Sequence, residues 1–182
     1  MSGAVIILTG PPGAGKTTLA QRLAETSDEP AVHLVCDQFF DAIRSGFIAP
    51  WLPESNTQNR TVNQAIAAAA ARYAVGGYTV FVDGIVGPWF LDLFRDAARE
   101  AGVPLDYVVL RPTRETAVAR ARDRMEAPLP DYPPHIFEGF ADVGEFERCV
   151  LELGGASLDV LAETLRSGLG ERRFSLGQDR PD

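Results

Sequence analysis

Residues 10–17 form a glycine-rich segment with the clearest chemical signal in the chain. They read GPPGAGKT and satisfy the pattern GxxxxGK[ST]. Glycines let such a loop curl with its N–H groups facing inward, and a helix that starts at its end adds a positive dipole. The pattern therefore predicts a phosphate-binding loop. The residues expected to contact a nucleotide are Gly10, Pro11, Pro12, Gly13, Ala14, Gly15, Lys16, Thr17 and Thr18.

Two side chains of this loop are expected to act on the phosphates directly. Lys16 would reach the β- and γ-phosphates as a catalytic residue, and the Thr17 hydroxyl would complete the shell of a Mg²⁺ ion. Lys16 is also the single lysine among 17 basic residues. A compositional bias toward arginine explains the other basic residues, but it does not explain why the exception falls at this position.

Two acids follow apolar runs that read as strands. Asp37 could accept the proton of an acceptor hydroxyl, hold a magnesium-bound water, or only cap the helix that follows it. Asp83 follows Val80-Phe81-Val82, an arrangement typical of a carboxylate presented to a metal. It could serve the metal, orient an acceptor or simply form a turn. Asp41, one turn beyond Asp37, is expected on a helix surface.

Two arginines near a proline-rich segment are candidates for catalysis. Arg120 and Arg124 are four residues apart, so they share a helix face and could fold over a triphosphate as the charge spreads during transfer. The alternative is a solvated face of ion pairs. Residues 127–134 contain four prolines, which predicts a loop or lid in place of regular structure.

Arg44 and Arg60 flank a second proline-containing loop, which carries Trp51. They are candidates for holding an acceptor with a phosphate or carboxylate group, and Trp51, Phe40 or Phe47 could stack on a ring. The alternative is that the aromatic side chains are core residues and the arginines pair with acids nearby, Asp41 and Glu54.

The remaining histidines and cysteines suggest no further chemistry. His33 lies within a strand and is expected to be structural, and His135 has no partner at metal-ligand spacing. Cys36 and Cys149 show neither a CxxC nor a Cys/His spacing, so neither a disulfide framework nor a structural zinc site is expected.

Short β-branched runs alternate with helical patterns, which indicates an α/β fold with a parallel sheet. The longest helix is expected over 57–74, ended by Gly76-Gly77. The predicted strands are 4–9, 31–36, 79–82, 105–110 and 149–153, and the predicted helices are 17–24, 37–45, 57–74, one starting at Pro88, 113 to about 125, and 157–166.

Length and charge narrow the function classes. A chain of 182 residues is expected to form one domain over its whole length, with a lid at about residues 120–137 and a frayed tail after about residue 176. A net charge of −8 argues against binding of long nucleic acids. We find no apolar run long enough for a membrane helix and no signal peptide, so we expect a cytoplasmic protein.

Together with the phosphate loop, several short segments resemble the P-loop small-molecule kinases. This group contains shikimate and gluconate kinases, chloramphenicol phosphotransferase and zeta-type toxin kinases. The likeness is closer to uncharacterised bacterial P-loop kinases and runs from about residue 5 to about residue 153. It is carried by Asp37, Pro50-Trp51-Leu52-Pro53, Gln58-Asn59-Arg60, Asp83-Gly84 and Phe140-Ala141-Asp142.

The resemblance implies a kinase-type three-layer α/β sandwich around a five-stranded parallel sheet. It also implies ATP with Mg²⁺ as phosphoryl donor, an acceptor site between the second and third helices, and lid arginines. In the similar enzymes, the aspartate that matches Asp37 touches the acceptor.

We therefore expect a phosphotransferase that moves the γ-phosphoryl group of ATP to a hydroxyl of a small molecule, as a monomer or homodimer. The sequence leaves two alternatives open, a nucleoside or nucleotide kinase and an ATP-hydrolysing switch without acceptor. A GTPase switch would need an NKxD signature, and a chain whose one lysine is Lys16 cannot contain it. An oligomeric AAA-type machine would normally be longer.

Overall fold

The computed structural model describes residues 3–113 and 134–177. These residues form a five-stranded, all-parallel sheet with helices on its faces, in the strand order β2-β3-β1-β4-β5. The strands are β1 (Ala4–Thr9), β2 (Ala31–Val35), β3 (Thr79–Asp83), β4 (Leu105–Pro112) and β5 (Val150–Leu153). The predicted α/β class and the five-stranded parallel sheet are confirmed.

The helices follow the strands in the alternation that the sequence predicts. They are α1 (Lys16–Glu25), α2 (Cys36–Asp41), α3 (Asn56–Val75), α4 (Leu91–Ala101), α5 (Pro134–Glu138) and α6 (Leu158–Gly170). Short 3-10 turns cover Pro53–Ser55, Pro88–Phe90 and Gly144–Cys149. In the described part of the chain, no helix combines the length and apolar character needed to cross a bilayer.

The central strand β1 places the phosphate loop over the middle of the sheet. All six of its residues are buried, because it lies between β3 and β4 and has helices on both faces. Its continuously apolar sequence is what a strand without a solvent-facing side requires. The loop that leaves β1 therefore starts from the central, fully buried strand of the sheet.

Several boundaries differ from the sequence-based predictions. Cys36 opens α2 and is not the last residue of β2, and α2 ends at Asp41 before the predicted limit at residue 45. The helix α6 continues to Gly170, beyond its predicted end at residue 166. These are ends of elements, where local sequence patterns are weakest.

The predicted loop over residues 127–134 is wrong at its last residue. Pro134 is the first residue of α5, a position where proline is compatible with a helix because the first-turn N–H has no helical partner. Residues 134–137 of the expected lid are thus helical. The rest of that lid, and the predicted helix from residue 113 to about 125, lie outside the described residues apart from Thr113.

The chain after α6 returns to the sheet. The Leu176 N–H donates to the Leu105 carbonyl at 2.9 Å, and Ser175 bridges Asp106 in antiparallel fashion. Arg148 donates to the carbonyls of Arg173 and Ser175, each at 2.7 Å. These bonds hold the tail against β4 as far as the described residues extend, and the predicted fraying after about residue 176 concerns residues beyond them.

Candidate functional site

The loop between β1 and α1 has the backbone conformation that its glycines permit. Gly10, Gly13 and Gly15 have φ values of 144°, 80° and 88°, a region that side chains other than glycine rarely enter. A Cβ atom on Gly10 would also lie 2.3 Å from the Leu110 carbonyl oxygen. Gly10 thus allows the loop to leave β1 in close contact with the neighbouring strand β4.

Lys16 bends back over this loop from the first turn of α1. Its Nζ donates to the Gly10 carbonyl at 3.1 Å and to the Pro11 carbonyl at 3.0 Å. The ammonium group is therefore held at the mouth of the loop, beside the first amides of α1. Amides in the first turn of a helix have no helical acceptor, so they are available to an anion.

A cavity of about 130 Å³ opens against the loop and brings two of the predicted acids to it. Its lining comprises Pro12, Gly13, Gly15, Lys16, Thr17, Thr18, Asp37, Asp83, Gly84 and Ile85. Asp83 is the last residue of β3 and Asp37 lies two residues beyond the end of β2. The two strands are parallel neighbours, with Val35 opposite Asp83. The parallel register thus delivers both carboxylates to the edge of the sheet where the loop lies.

Asp83 is the buried member of this pair, with 3% of its surface exposed. Its Oδ2 lies 3.2 Å from Nε2 of His33, which faces it from the neighbouring strand. His33 is thus in contact with a site acid, although the sequence suggested only a structural role. The contact engages one carboxylate oxygen of Asp83, a residue that also lines the cavity.

The donor set of this cavity suits Mg²⁺ bound together with phosphates. Thr17, Asp37 and Asp83 supply one hydroxyl and two carboxylates, and Mg²⁺ typically takes one or two carboxylates and completes its shell with water and substrate phosphates. The described residues contain no cluster of three or more His, Cys, Asp or Glu side chains that could hold a metal by themselves. The hydroxyl and carboxylates that line the cavity thus fit Mg²⁺ as it binds alongside nucleotide phosphates.

Asp37 lies in the first turn of α2 and lines the cavity at the phosphate loop. Partial burial of its carboxyl raises its pKa above the ordinary range, the nearby Asp83 raises this pKa further, and Lys16 opposes the shift. The side chain still has an exposed surface. A carboxylate with a raised pKa and access to solvent is suited to accepting a proton.

Cys36 packs the two acid-bearing strand ends together. It is buried and carries a free thiol, and a Cβ atom on Gly84 would lie 2.4 Å from its Sγ. Burial, together with the negative charges of Asp83 and Asp37, raises the pKa of this thiol, so it remains protonated. Its role visible here is therefore packing, since a reactive cysteine needs a lowered pKa.

A second and larger cavity, of about 430 Å³, adjoins the first and shares Asp37 and Ile85 with it. Helices α2, α3 and α5 and the loop before α4 surround it. Its lining comprises Cys36, Asp37, Phe40, Asp41, Phe47, Pro50, Trp51, Asn59, Asn63, Ile85, Trp89, Phe90, His135 and Ile136. Its volume is in the range of small-molecule sites.

Two side-chain amides fasten the loop between α2 and α3 along this cavity. Gln58 accepts from the Ile48 N–H at 2.8 Å and donates to the Ile48 carbonyl at 2.6 Å. Asn59 donates to the Pro50 carbonyl at 2.6 Å. The loop that carries Trp51 is therefore bound to a long helix at two points, and this side of the cavity is preformed.

The structure brings only some of the predicted acceptor residues to the larger cavity. Trp51 lines it, as do Phe40 and Phe47, the other aromatic candidates, and Asp41 lines it too, although a plain surface position was expected. Arg44 is exposed and does not line it. Arg60 points away and pairs with Asp92 on α4 at 3.1 Å, not with the acids expected from the sequence. The catalytic candidates Arg120 and Arg124 lie outside the described residues.

Other lining residues were not singled out in the sequence. They are Asn63 on α3, Ile85 after β3, Trp89 and Phe90 in the turn before α4, and Ile136 on α5; no local spacing connects these four parts of the chain. Asn59 belongs to the Gln58-Asn59-Arg60 segment that carries the family resemblance, and that was its only signal. His135 has no partner at metal-ligand spacing in the sequence, yet α5 places it at this cavity.

Solved structures with this fold cover almost the whole chain. An APS kinase from Mycobacterium tuberculosis, in complex with AMPPNP and APS, is 19% identical, with a TM-score of 0.61 over 93% of this chain and 98% of that one. A tunicamycin resistance protein from Deinococcus radiodurans is 16% identical, with a TM-score of 0.69 over 98% and 99% of the two chains. Shikimate kinase from Acinetobacter baumannii, in complex with shikimate, is 19% identical, with a TM-score of 0.60 over 93% and 94%.

The fold is therefore that of the P-loop small-molecule kinases, and the resemblance noted in the sequence is confirmed at this level. No curated protein matches the sequence. A family model, AAA_33, described as an AAA domain, matches residues 5–136. This segment includes the phosphate loop, both site acids and the walls of the larger cavity, and the chain belongs to the AAA_33 family.

Proposed function

We propose that the protein is a kinase that transfers the γ-phosphoryl group of ATP to a hydroxyl group of a small molecule. The observation that carries this proposal is the junction between the two cavities. Asp37 and Ile85 line both of them, so a molecule in the larger cavity has a direct path to a nucleotide phosphate at the loop. The kinase names of several structures with the same fold support the same reading.

Residues of the phosphate loop would hold the nucleotide. The backbone amides of Gly13, Gly15 and the start of α1 would bind the phosphates, and Lys16 would move from its two carbonyl acceptors to the β- and γ-phosphates. Thr17 and Asp83 would hold Mg²⁺. When bound, this ion neutralises phosphate charge and fixes the geometry of the β- and γ-oxygens.

Asp37 would act on the acceptor. The acceptor hydroxyl oxygen forms a bond to the γ-phosphorus, and the bond from that phosphorus to the β–γ bridging oxygen breaks, so ADP leaves. The hydroxyl proton passes to an Asp37 carboxylate oxygen. Because the transition state needs mainly positioning and charge stabilisation, a site assembled on strand ends suits the reaction.

The remaining assignments extend this proposal. Arg120 and Arg124 would cover the transferring phosphoryl group from a lid. The protein would work in the cytoplasm as a single domain, as a monomer or homodimer, on a small acceptor and without long nucleic acids, which its net charge of −8 would repel. Arg44 and Arg60 stay candidates for acceptor binding only if the site rearranges, because neither lines the cavity.

A panel of acceptors tests the proposal and its alternatives. Purified protein with MgATP would be supplied with hydroxylated metabolites, nucleosides, nucleotides and hydroxylated antibiotics, and both ADP release and the phosphorylated product would be measured. A kinase shows ADP release that depends on one class of acceptor and matches product formation. Hydrolysis equally fast without any acceptor would support an ATP-driven switch and contradict the proposal.

Lys16 provides the sharpest control, because it is the only lysine in the chain. Lys16→Ala should lower turnover at least about 100-fold while the fold is retained, since a contact to developing negative charge is worth roughly 3 kcal/mol. An amine-reactive reagent can modify only Lys16 and the N-terminus, and saturating MgATP should protect Lys16. Near-normal turnover of Lys16→Ala, or labelling that nucleotide leaves unchanged, would contradict the role of the loop.

A further inference from the structure

The larger cavity contains a buried hydrogen-bond acceptor that no described residue satisfies. Asn59 is 7% exposed, and its Nδ2 donates to the Pro50 carbonyl at 2.6 Å and to the Ser55 Oγ at 2.8 Å. A backbone carbonyl can only accept, so this bond fixes which side of the amide carries the nitrogen. The Oδ1 atom is left buried without a hydrogen-bond partner among the described residues.

Such an orphan acceptor points to a ligand. Buried polar side chains are nearly always hydrogen-bonded, so each exception calls for a cause, such as strain, a catalytic role or a bound partner. Asn59 lines the larger cavity. A molecule there should therefore present an N–H or O–H group to Oδ1, because a second acceptor at this position would leave both groups unsatisfied.

The ionisable groups of the same wall disfavour a negatively charged ligand. Asp37 and Asp41 are acids, His135 is the one basic side chain, and none of the lining residues that the structure describes is Arg or Lys. The nearest arginine on α3, Arg60, is engaged with Asp92. An anion in this cavity would face two carboxylates without a guanidinium group from the described residues to offset them.

Five aromatic side chains also line the cavity. Phe40, Phe47, Trp51, Trp89 and Phe90 all line the cavity. Trp89 and Phe47 are 49% and 50% exposed, which leaves ring surface available for a ligand. Ring faces favour apolar or aromatic bodies and attract cations, whereas they offer nothing to an anion.

We propose that the phosphoryl acceptor is an uncharged or cationic alcohol with an aromatic or apolar body, bound through an N–H or O–H group to Asn59 Oδ1 and not through an anionic group. That the bound molecule receives the phosphoryl group rests on the proposed kinase function. The binding preference itself depends only on the cavity. An acceptor of this class differs from the anionic acceptors for which Arg44 and Arg60 were candidates.

Three matched probes test the preference. They are 2-phenylethanols with an aminomethyl, a carboxamide or a carboxylate group in the para position, so that only the charge and donor capacity of one end change. Saturation-transfer NMR would give their dissociation constants. Fluorescence excited at 295 nm reports the place of binding, because both tryptophans of the chain, Trp51 and Trp89, line this cavity.

The ammonium and carboxamide probes should bind at least about tenfold more tightly than the carboxylate, in line with the cost of placing like charges together. Both should change the tryptophan emission. Asn59→Leu should weaken the carboxamide probe at least about fivefold, because it removes the acceptor. Gln64→Leu, an exposed amide on the same helix, is the matched control and should leave binding unchanged.

Asp41→Asn keeps the test independent of Asn59, whose bonds to the loop also support the fold. Because Asp41 is exposed, its substitution should not disturb the fold, and it should bring the dissociation constants of the ammonium and carboxylate probes closer together. Carboxylate binding as tight as that of the other two probes, or no binding by any probe, would overturn the inference. Probes that bind in the expected order without being phosphorylated would support the cavity preference and count against the kinase proposal, so the two failures are distinct.

Discussion

Asp37→Asn should strongly slow transfer to the acceptor while leaving nucleotide binding intact. The substitution keeps the shape of the side chain and removes its charge. A general base typically contributes at least about 100-fold in rate, or roughly 2.7 kcal/mol of barrier. Because Asp37 keeps an exposed surface, we expect the lower end of that range. Removing a negative charge from the phosphate cavity should leave the KM for ATP unchanged or slightly lower.

The pH profile adds a signature that a structural role would not give. Asp37 must be ionised to accept a proton, and burial with the adjacent Asp83 raises its pKa. Transfer should therefore decline as the pH falls through this raised pKa, at higher pH than for an ordinary carboxyl group. Asp41 and His135 also line the larger cavity. Asp41→Asn and His135→Gln are therefore needed as controls, and both variants should keep the decline in transfer at low pH that is assigned to Asp37.

Transfer of labelled γ-phosphate to the acceptor identified by the panel is the assay, with ATP, Mg²⁺ and pH varied in turn. Asp83→Asn is the informative comparison, because raised Mg²⁺ or Mn²⁺ should partly restore a metal-shell residue and should not restore Asp37→Asn. The reasoning is refuted if Asp37→Asn transfers at the wild-type rate, if its transfer rate still declines at low pH as in the wild type, or if its only defect is in the KM for ATP.

Three further predictions concern the framework around the site. Gly10→Ala should destabilise the fold by at least about 2 kcal/mol in urea denaturation. The φ of 144° at this position is unfavourable for alanine, and the new Cβ would lie 2.3 Å from a β4 carbonyl oxygen. An unchanged denaturation midpoint would argue against this loop geometry. Tyr107→Phe should cost about 1–3 kcal/mol by the same measurement, because it leaves the buried Val86 carbonyl without the hydroxyl that donates to it at 2.9 Å, and a neutral result would mean that another donor takes its place. Hydrogen bonds from Arg111 and a backbone N–H lower the pKa of Glu147 to about 2, so its contribution to stability is present above the ordinary glutamate pKa and is lost as the pH falls toward about 2. Glu147→Gln should therefore be less stable than wild type at pH 7 and approach it as the pH falls, and an equal difference at both ends would be inconsistent with this pairing.

The sheet and the phosphate loop could be predicted because their signals are local. Each strand is a short apolar run, and the loop is eight consecutive residues whose glycines are needed for backbone reasons. The sequence also placed Asp37 and Asp83 each just after a predicted strand. That both line one cavity is a finding of the structure, in which the neighbouring parallel strands β2 and β3 end at the same edge of the sheet.

The larger cavity could not be predicted in the same way because its wall is assembled from distant parts of the chain. Asn59 and Trp89 are 30 positions apart, and neither has a periodicity that marks it as a ligand contact. Arg60 is the reverse case, a residue that the sequence suggested as a ligand contact and that does not line the cavity. Its type and position suggested an anion site, but α4 places Asp92 within 3.1 Å of it, and only the packing of two helices decides which partner an exposed arginine takes.

Asp37 connects the phosphate cavity, which the sequence indicated, with the larger cavity, which it did not. It belongs to the phosphate cavity through strand topology and to the larger cavity through α2. Cys36 and Gly84 make this possible, because the Sγ of one occupies the space that a Cβ on the other would need. A larger residue at position 84 would push the ends of β2 and β3 apart, and with them the two carboxylates. The chemistry that the sequence places on separate strands thus depends on a close contact that a glycine allows.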